Sequence, residues 1–443
     1  MSRSKITIAT NQKYTCIQCG RCCRRWHVAL SEQDIARLAE LKWKDKTDIP
    51  DDPVTKIHGH PFIAHKPNGD CVFLDPETNL CRLHAQHGPS AKPLGCRVYP
   101  LNIASTFWGE LSVTARMDCP AAQQNTGPPL REKRVQIERY AKQLGIKGGY
   151  SDELGGLSPV TVDLLCRALR ERFLERPGLD AGHRNWAMLL AVERLRQLGV
   201  NFLNDTPTME EVLPSFTERV VEKALESPGR RLSPFSRGVF REWLGAYLRR
   251  DEEVIGKLFF ARMRRTLELA LLLGGYGSFG KLGAEHPDIP VRDVPMFPMP
   301  EPEGSGLEQA ISGREPPSGS SSAQNTETSS DGSAEDCWEC YHRMLSSRLQ
   351  TLQFFGVTYY GAMFFDGLRA LVQTYPLVLA AARCHAASRH VGQIGAEDVQ
   401  YAVGAVDHSF GRSRLLQMHL WRALEEFFSG SRYGRLLKTL GWH

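Results

Sequence analysis

The chain has 443 residues and a mass of 49.7 kDa, too long for one small module at the usual ~100–200 residues per domain, and its 42% hydrophobic and 24% charged residues exclude a chain disordered throughout. Its 55 basic and 50 acidic residues leave a net charge of +5, a surplus too mild to recruit nucleic acid or a membrane surface by itself. No apolar run reaches the roughly 20 residues of a spanning helix, the best candidate, Leu368 to Ala382, being interrupted by Arg369, Gln373 and Pro376.

Thr7, Thr10, Asn11, Gln12 and Lys13 leave the N-terminus without a signal-peptide core, so the expected compartment is the cytoplasm. There the 12 cysteines stay reduced, and clustered thiols read as metal ligands rather than disulfide partners. Cys16, Cys19, Cys22, Cys23, Cys71, Cys81, Cys96 and Cys119 all precede residue 120. In Cys16-Ile-Gln-Cys19-Gly-Arg-Cys22-Cys23, the two-residue spacings let a tight loop turn its sulfurs toward one centre, with Gly20 free to take positive φ. C-x2-C-x2-C is also the spacing by which bacterial ferredoxins place three thiolates on a [4Fe–4S] cluster. Consecutive side chains diverge, so Cys22-Cys23 favours a polynuclear cluster or two neighbouring centres over one mononuclear ion.

Farther along, Ser31 as N-cap, Asp34 three residues on, and the stripe Ile35, Leu38, Leu41 predict a short helix. Asp70 to Asp75 and Leu80 to Leu83 read as two strands around a turn, with Cys71 and Cys81 nearly opposite and their Cβ atoms about 5 Å apart. A further strand, Phe107 to Ala115, leads to Asp118-Cys119-Pro120. Arg21, Arg24, Arg25, Arg82, Arg97 and Arg116 flank the cysteines, either offsetting thiolate charge or staying solvated. His27, His58, His60, His65, His84 and His87 are substitute ligands by type, although surface or hydrogen-bonding roles account for each. Turn and cap roles suffice for Asp75 and Asp118.

Residues 129–275 and 337–443 read as helix upon helix. Ser158-Pro159 opens one with Val160, Leu164, Leu165, Ala168 and Leu169 on one side, and Trp186 to Leu198 repeats the spacing. Gly275-Tyr-Gly277-Ser-Phe-Gly280 matches G-x-G-x-x-G, but Arg264 to Leu273 before it is helical rather than a strand, so a helix end and loop is the better reading. Pro298 to Asp336, rich in Pro, Gly, Ser and acidic residues, has almost nothing to bury and reads as a disordered insertion. Each doubling of a flexible loop costs only about 0.6 kcal/mol of closure. Deleting most of the segment is therefore expected to leave metal content and melting temperature nearly unchanged, and a fall of many degrees in calorimetry would mean that it is packed. Cys337-Trp-Glu-Cys340 with His342 and Cys384-His385 has chelating spacing but reads as core cysteine. Phe354, Phe355, Tyr359, Tyr360, Phe364 and Phe365 read as an aromatic-rich helical stretch of core.

Four N-terminal pieces carry a resemblance. Cys16-x2-Cys19-Gly-Arg-Cys22-Cys23, Cys71-Val-Phe-Leu-Asp75, Cys81-Arg-Leu-His84 and Pro93-x2-Cys96-Arg97-x-Tyr99-Pro100, in that order over roughly the first 120 residues, resemble the YkgJ-type CxxCxxCC cysteine-cluster family of zinc- or iron-chelating domains. Flagellin lysine N-methylase-like proteins are related to that family. The resemblance implies Cys16, Cys19, Cys22, Cys23, Cys71, Cys81 and Cys96 as metal-site residues, joined by Cys119, and an iron–sulfur cluster or zinc or iron ions as the cofactor. The helical remainder lies outside it.

The expected fold is mainly α. Residues 1–125 form a small cysteine-rich, metal-organised module with a short β-hairpin, 126–297 a helical region, 298–336 the disordered insertion and 337–443 a C-terminal helical region. Three functions fit this reading. An iron–sulfur protein in redox or electron transfer comes first, on the ferredoxin-like spacing. A protein lysine N-methylase using S-adenosylmethionine follows from the resemblance, with weak support from the Gly275 loop, and a zinc-stabilised protein-interaction module is the third, in which seven or eight thiolates require two zinc ions. The expected counterpart is a protein partner or protein substrate, with neither nucleic acid nor membrane. No Ser/His/Asp, paired-carboxylate or P-loop constellation supports hydrolase or kinase chemistry.

Overall fold

Residues 111–115 alternate Leu, Ser, Val, Thr, Ala, and a strand turns such a run into one apolar face and one hydroxyl-bearing face. The structure is a computed structural model. It describes residues 6–41, 49, 52–57, 59–106, 110–146, 152–226, 228–249, 259–279, 289–298 and 336–441. Its N-terminal strands are β1 (Ile6–Ile8), β2 (Val54–Ile57), β3 (His60–Ile63), β4 (Leu101–Ser105) and β5 (Leu111–Ala115). β5 is central, parallel to β1 with Ile6 opposite Leu111 and antiparallel to β4 with Leu101 opposite Ala115. Leu111, Val113 and Ala115 pack with Ile6, Ile8 and Leu101 and with Ile137, Tyr140 and Ala141 of the helix Arg134–Gln143. The hydroxyl face meets Gln353, which accepts from Thr114 at 2.7 Å and donates to Ser112 at 3.1 Å.

β2 and β3 make a short antiparallel hairpin, so the module has its hairpin, but not where the sequence placed it. Residues 70–83 form only single bridges, His65 with Cys71 and Leu74 with Cys81. The Asp75 carboxylate accepts from the Glu77 and Thr78 amides at 3.1 and 3.0 Å, and the helix Arg82–His87 starts directly after Cys81. An Asx turn and a helix start thus displace the expected ladder. The Ser31 helix forms as Glu32–Glu40 with a reciprocal capping box: the Asp34 amide donates to Ser31 Oγ at 3.1 Å and the Ser31 amide to the Asp34 carboxylate at 3.2 Å.

The rest of the chain is helical. Helices Pro159–Leu169, Ala181–Gln197, Thr206–Leu225, Pro234–Leu248, Glu339–Thr351, Thr374–Ser388 and Ala396–Ser409 contribute to one large apolar cluster. Ser158 caps the first, its Oγ accepting from the Thr161 amide at 3.1 Å. The aromatic stretch is core, with Phe354, Phe355, Tyr359 and Phe364 buried. It is not one helix, however. Leu352 at φ +60° ends the helix before it, and the Gly356 amide donates to Ala362 O at 2.9 Å across a turn, so helix resumes only at Phe364. Gly275 and Gly277 take positive φ just after the helix Phe259–Leu273, a helix end and loop as expected. Gly280 and residues 299–335 of the expected insertion lie outside the described residues, as do His58 and residues 107–109 of the expected strand. Cys340 and Cys384 sit in the helical core, where His385 pairs with Asp398 at 2.7 Å instead of joining thiols.

The cysteine module docks on Glu339–Thr351 and Ala396–Ser409. The Thr10 amide donates to Gln350 Oε1 at 2.9 Å, Ser347 Oγ to Asn11 Oδ1 at 2.8 Å, the Met117 amide to the Asp407 carboxylate at 2.9 Å and Gln123 Nε2 to Gln400 O at 2.8 Å. A Cβ at Gly404 would lie 2.5 Å from Gln123 Nε2, so this contact requires glycine. No helix among the described residues is long and apolar enough to cross a membrane.

Candidate metal centre

Gly20, at φ +67°, turns the cysteine loop into the short helix Arg21–Arg25, which carries both Cys22 and Cys23. Their Sγ atoms are 3.9 Å apart, far beyond a disulfide's ~2.05 Å. The expected divergence of adjacent side chains does not separate them, since both face one cavity. Backbone bonds bring the remote cysteines there. The Cys71 amide donates to Cys23 O at 2.7 Å, and the Arg82 amide to Phe73 O at 2.8 Å, seating Cys81 one residue before. Buried Asp34 reaches out of its capping box to accept the Leu94 amide at 3.2 Å, fixing the start of Leu94–Val98 and hence Cys96.

Cys22, Cys23, Cys71, Cys81 and Cys96 together line a cavity of about 30 Å³, walled by Trp26, Val28, Ile63, Phe73, Leu83 and Tyr99, with Lys92 at its edge. That is space for an ion or a couple of waters. Cys16, Cys19 and Cys119 stand outside it, the first two exposed and the third buried. Cys16 instead lines an adjoining open cleft of about 510 Å³ with Tyr14, Lys92, Arg97 and Lys133, a cleft that Cys22 also faces. Burial, then the charges of Cys16, Cys119 and Cys22, hold the Tyr14 hydroxyl protonated well above its usual range. Cys119 in turn is pushed up to about 12, mainly by burial, with Cys19 among the charges around it. Cys22, Cys23, Cys81 and Cys96 line both spaces, whereas Cys71 faces only the enclosed cavity and Cys16 only the cleft. Among the described residues no three His, Cys, Asp or Glu donors already stand at metal-holding geometry.

Burial pushes Cys71 up to about 12 and raises Cys96 as well. Within the adjacent pair, a hydrogen bond from Cys23 lowers Cys22 to about 7 and raises Cys23. Burial pulls the Lys92 ammonium down, but Cys81, Cys96, Cys22 and Cys23 more than reverse this, so Lys92 is the cation that these thiolates share. Cys23, Cys71 and Cys96 thus stay neutral until a cation stabilises their ionised form, whereas Cys22 is the readier to ionise. Soft donors around an ion-sized, carboxylate-free cavity fit zinc or iron and do not fit calcium or magnesium.

Lys92 carries no signal in the sequence beyond its place between Cys81 and Cys96. The arginines that do flank cysteines are mostly committed elsewhere. Arg24 pairs with Asp70 at 3.6 Å, Arg82 with Asp75 at 3.5 Å, and Arg116 pairs with Asp118 while lying 4.2 Å over the Trp26 ring. Arg97 alone of these lines the open cleft, along with His84. His65 Nε2 lies 3.1 Å from Trp26 O and its ring stacks on His27, while His60 and His87 line neither thiol cavity. Asp75 does serve its turn, whereas Asp118 is an ion-pair residue, 2.9 Å from His408.

Residues 15–120 match the family model CxxCxxCC, described as "Putative zinc- or iron-chelating domain". No curated protein and no solved structure matches the chain. The match takes in all eight N-terminal cysteines and ends at Pro120, within the segment that docks on the helices. In its order of cysteines, the segment 15–120 thus matches the CxxCxxCC family, described as a zinc- or iron-chelating domain, over about a quarter of the chain.

Proposed function

We propose that residues 15–120 hold a two-part thiolate metal centre, with an iron–sulfur cluster on Cys16, Cys19, Cys22 and Cys119 and a second site on Cys23, Cys71, Cys81 and Cys96, serving redox or electron-transfer chemistry. One observation supports this reading: Cys16 and Cys22 of the loop and Cys119 all act on the Tyr14 hydroxyl, and Cys19 acts on Cys119. Three thiolates from C-x2-C-x2-C and a fourth from a distant Cys-Pro is the way two-cluster bacterial ferredoxins complete each set. The adjacent pair then contributes one thiolate to each side. A bound cluster would supply one-electron exchange. The chain's own part is to offset thiolate charge with Lys92, to screen the enclosed set from water with Trp26, Phe73 and Tyr99, and to leave Cys16 and Cys19 at the surface where a partner can approach.

The enclosed set supports a second reading, because four thiols around an ion-sized space match a closed zinc tetrahedron. The methylase alternative gains nothing from the Gly275 loop, which ends a helix and follows no strand. Anaerobic purification with iron, sulfide and zinc analysis separates the readings. The expected protein is brown, with acid-labile sulfide that Cys119→Ser removes while Cys96→Ser spares it. Stoichiometric zinc without iron or sulfide would replace the iron–sulfur site with a zinc one, and identical losses in both variants would mean a single centre.

A further inference from the structure

Trp26 separates the enclosed thiol cavity from another of about 240 Å³, which its indole also lines. This second cavity lies where the cysteine module meets the helices, and Arg116, Arg249, Arg412, His27 and His408 face it. The guanidinium groups come from three separate segments: Arg116 directly after β5, Arg249 at the end of Pro234–Leu248, and Arg412 in the turn after Ala396–Ser409. Among the described residues, the carboxylates that pair with this wall stand behind it. Asp118 is held by Arg116 and by His408 at 2.9 Å, and Asp407 by Arg348, by the Met117 amide and by Arg412 at 3.7 Å. Neither carboxylate lines the cavity. Arg116, Arg348 and Arg412 therefore share two carboxylates, and Arg249 lines the same cavity. Burial first, and next the neighbouring Arg116, push the Arg412 guanidinium down to about 10, the mark of crowded cations in a dry site.

We infer that this cavity is a binding site for a phosphate group, free or carried by a small molecule. Guanidinium forks match phosphate oxygens two at a time, and forks from three segments suit a tetrahedral oxyanion better than a planar carboxylate. Ser409 and Ser413 line the same wall, with the Ser409 hydroxyl donating to Tyr247 O at 2.7 Å. At about 240 Å³ the space exceeds what one ordered water needs and falls just below the usual range of small-ligand pockets, about 300–1,000 Å³. The assignment does not depend on which metal the thiols hold, since none of its residues is a cysteine.

Isothermal titration of the full chain with inorganic phosphate, against chloride at matched ionic strength, tests the site. Glycerol phosphate and malonate serve as the second and third titrants. Phosphate is expected to bind, with R249Q and R412Q each weakening it at least tenfold. Tighter glycerol phosphate would identify the carrier as a small phosphorylated molecule, and binding of inorganic phosphate alone would identify the free ion. Because Arg412 also braces Asp407, R249Q is the deciding variant, and its melting temperature in chloride is measured alongside so that a fall in phosphate affinity is separated from a fall in stability. No phosphate binding by the parent, equal binding by R249Q, or malonate binding as tightly as phosphate would overturn the inference.

Discussion

Cys96→Ser, or stripping of metal by a chelator, is expected to remove most hydrogen-exchange protection from the thiol-bearing part of the module while the helices from Pro159 onward keep theirs. Metal-ligand free energy in a small cysteine-rich unit is also its folding free energy, on the order of 10 kcal/mol or more for structural zinc. The thiol half has only a small apolar cluster of its own, built on Leu30, Leu38, Ile63, Val72, Phe73, Leu74 and Leu83, and four of the site thiols pack against or within it. Losing their common centre leaves buried, neutral thiols around a void. The helical cluster is many times larger and contains none of these residues. Protection in β1 and β5 should fall between the two, because that sheet packs on Arg134–Gln143 and hydrogen-bonds to Gln353. Loss spread evenly over both regions would show that metal does not organise the module as a folding unit.

The sequence carries what short-range chemistry decides. Ser31 with Asp34 and Ser158 before Pro159 announce helix starts that the structure repeats bond for bond, since capping depends on residues three apart. The cysteine module, too, is legible from spacing. Contacts formed across the fold are not. Nothing near Lys92 says that four thiolates will surround it, and nothing near Asp70 to Leu83 says that two isolated bridges will replace a hairpin. The bridge at Cys71 depends on His65, and the Cys71 amide on the Cys23 carbonyl, both supplied by other segments. The docking of the module was equally hidden. Asp407 lies 290 positions from Met117, and its pairing with Arg348 joins two helices whose sequences each read as ordinary amphipathic helix.

That pairing yields the largest single-residue effect expected outside the cysteines. Asp407→Ala should destabilise the folded chain by about 3–5 kcal/mol, because removing one member of a buried ion pair strands the other charge. The Arg348 and Asp407 side chains are only 5% and 3% exposed. The carboxylate also accepts the Met117 amide at 2.9 Å, so its loss orphans a backbone donor at the point where the module joins the helices. Burial alone would raise the Asp407 carboxyl, but Arg348 and then Arg412 hold it below its usual range. A carboxyl lowered on folding contributes stability above its unfolded value of about 3.9, and that contribution fades as pH falls through the folded value. The parent should therefore lose stability on acidification below about pH 4 that Asp407→Ala has already lost, so the two unfolding curves converge at low pH. Replacing both partners, as in Arg348→Met with Asp407→Leu, should recover much of the loss, since a buried pair exchanged for apolar groups is often close to neutral. Chemical denaturation of the parent and the two variants measures this directly. A single variant within about 1 kcal/mol of the parent would mean that Arg348 keeps a partner without Asp407, and that the seam between module and helices is held mainly by Gln123, Gln353 and the Gly404 contact.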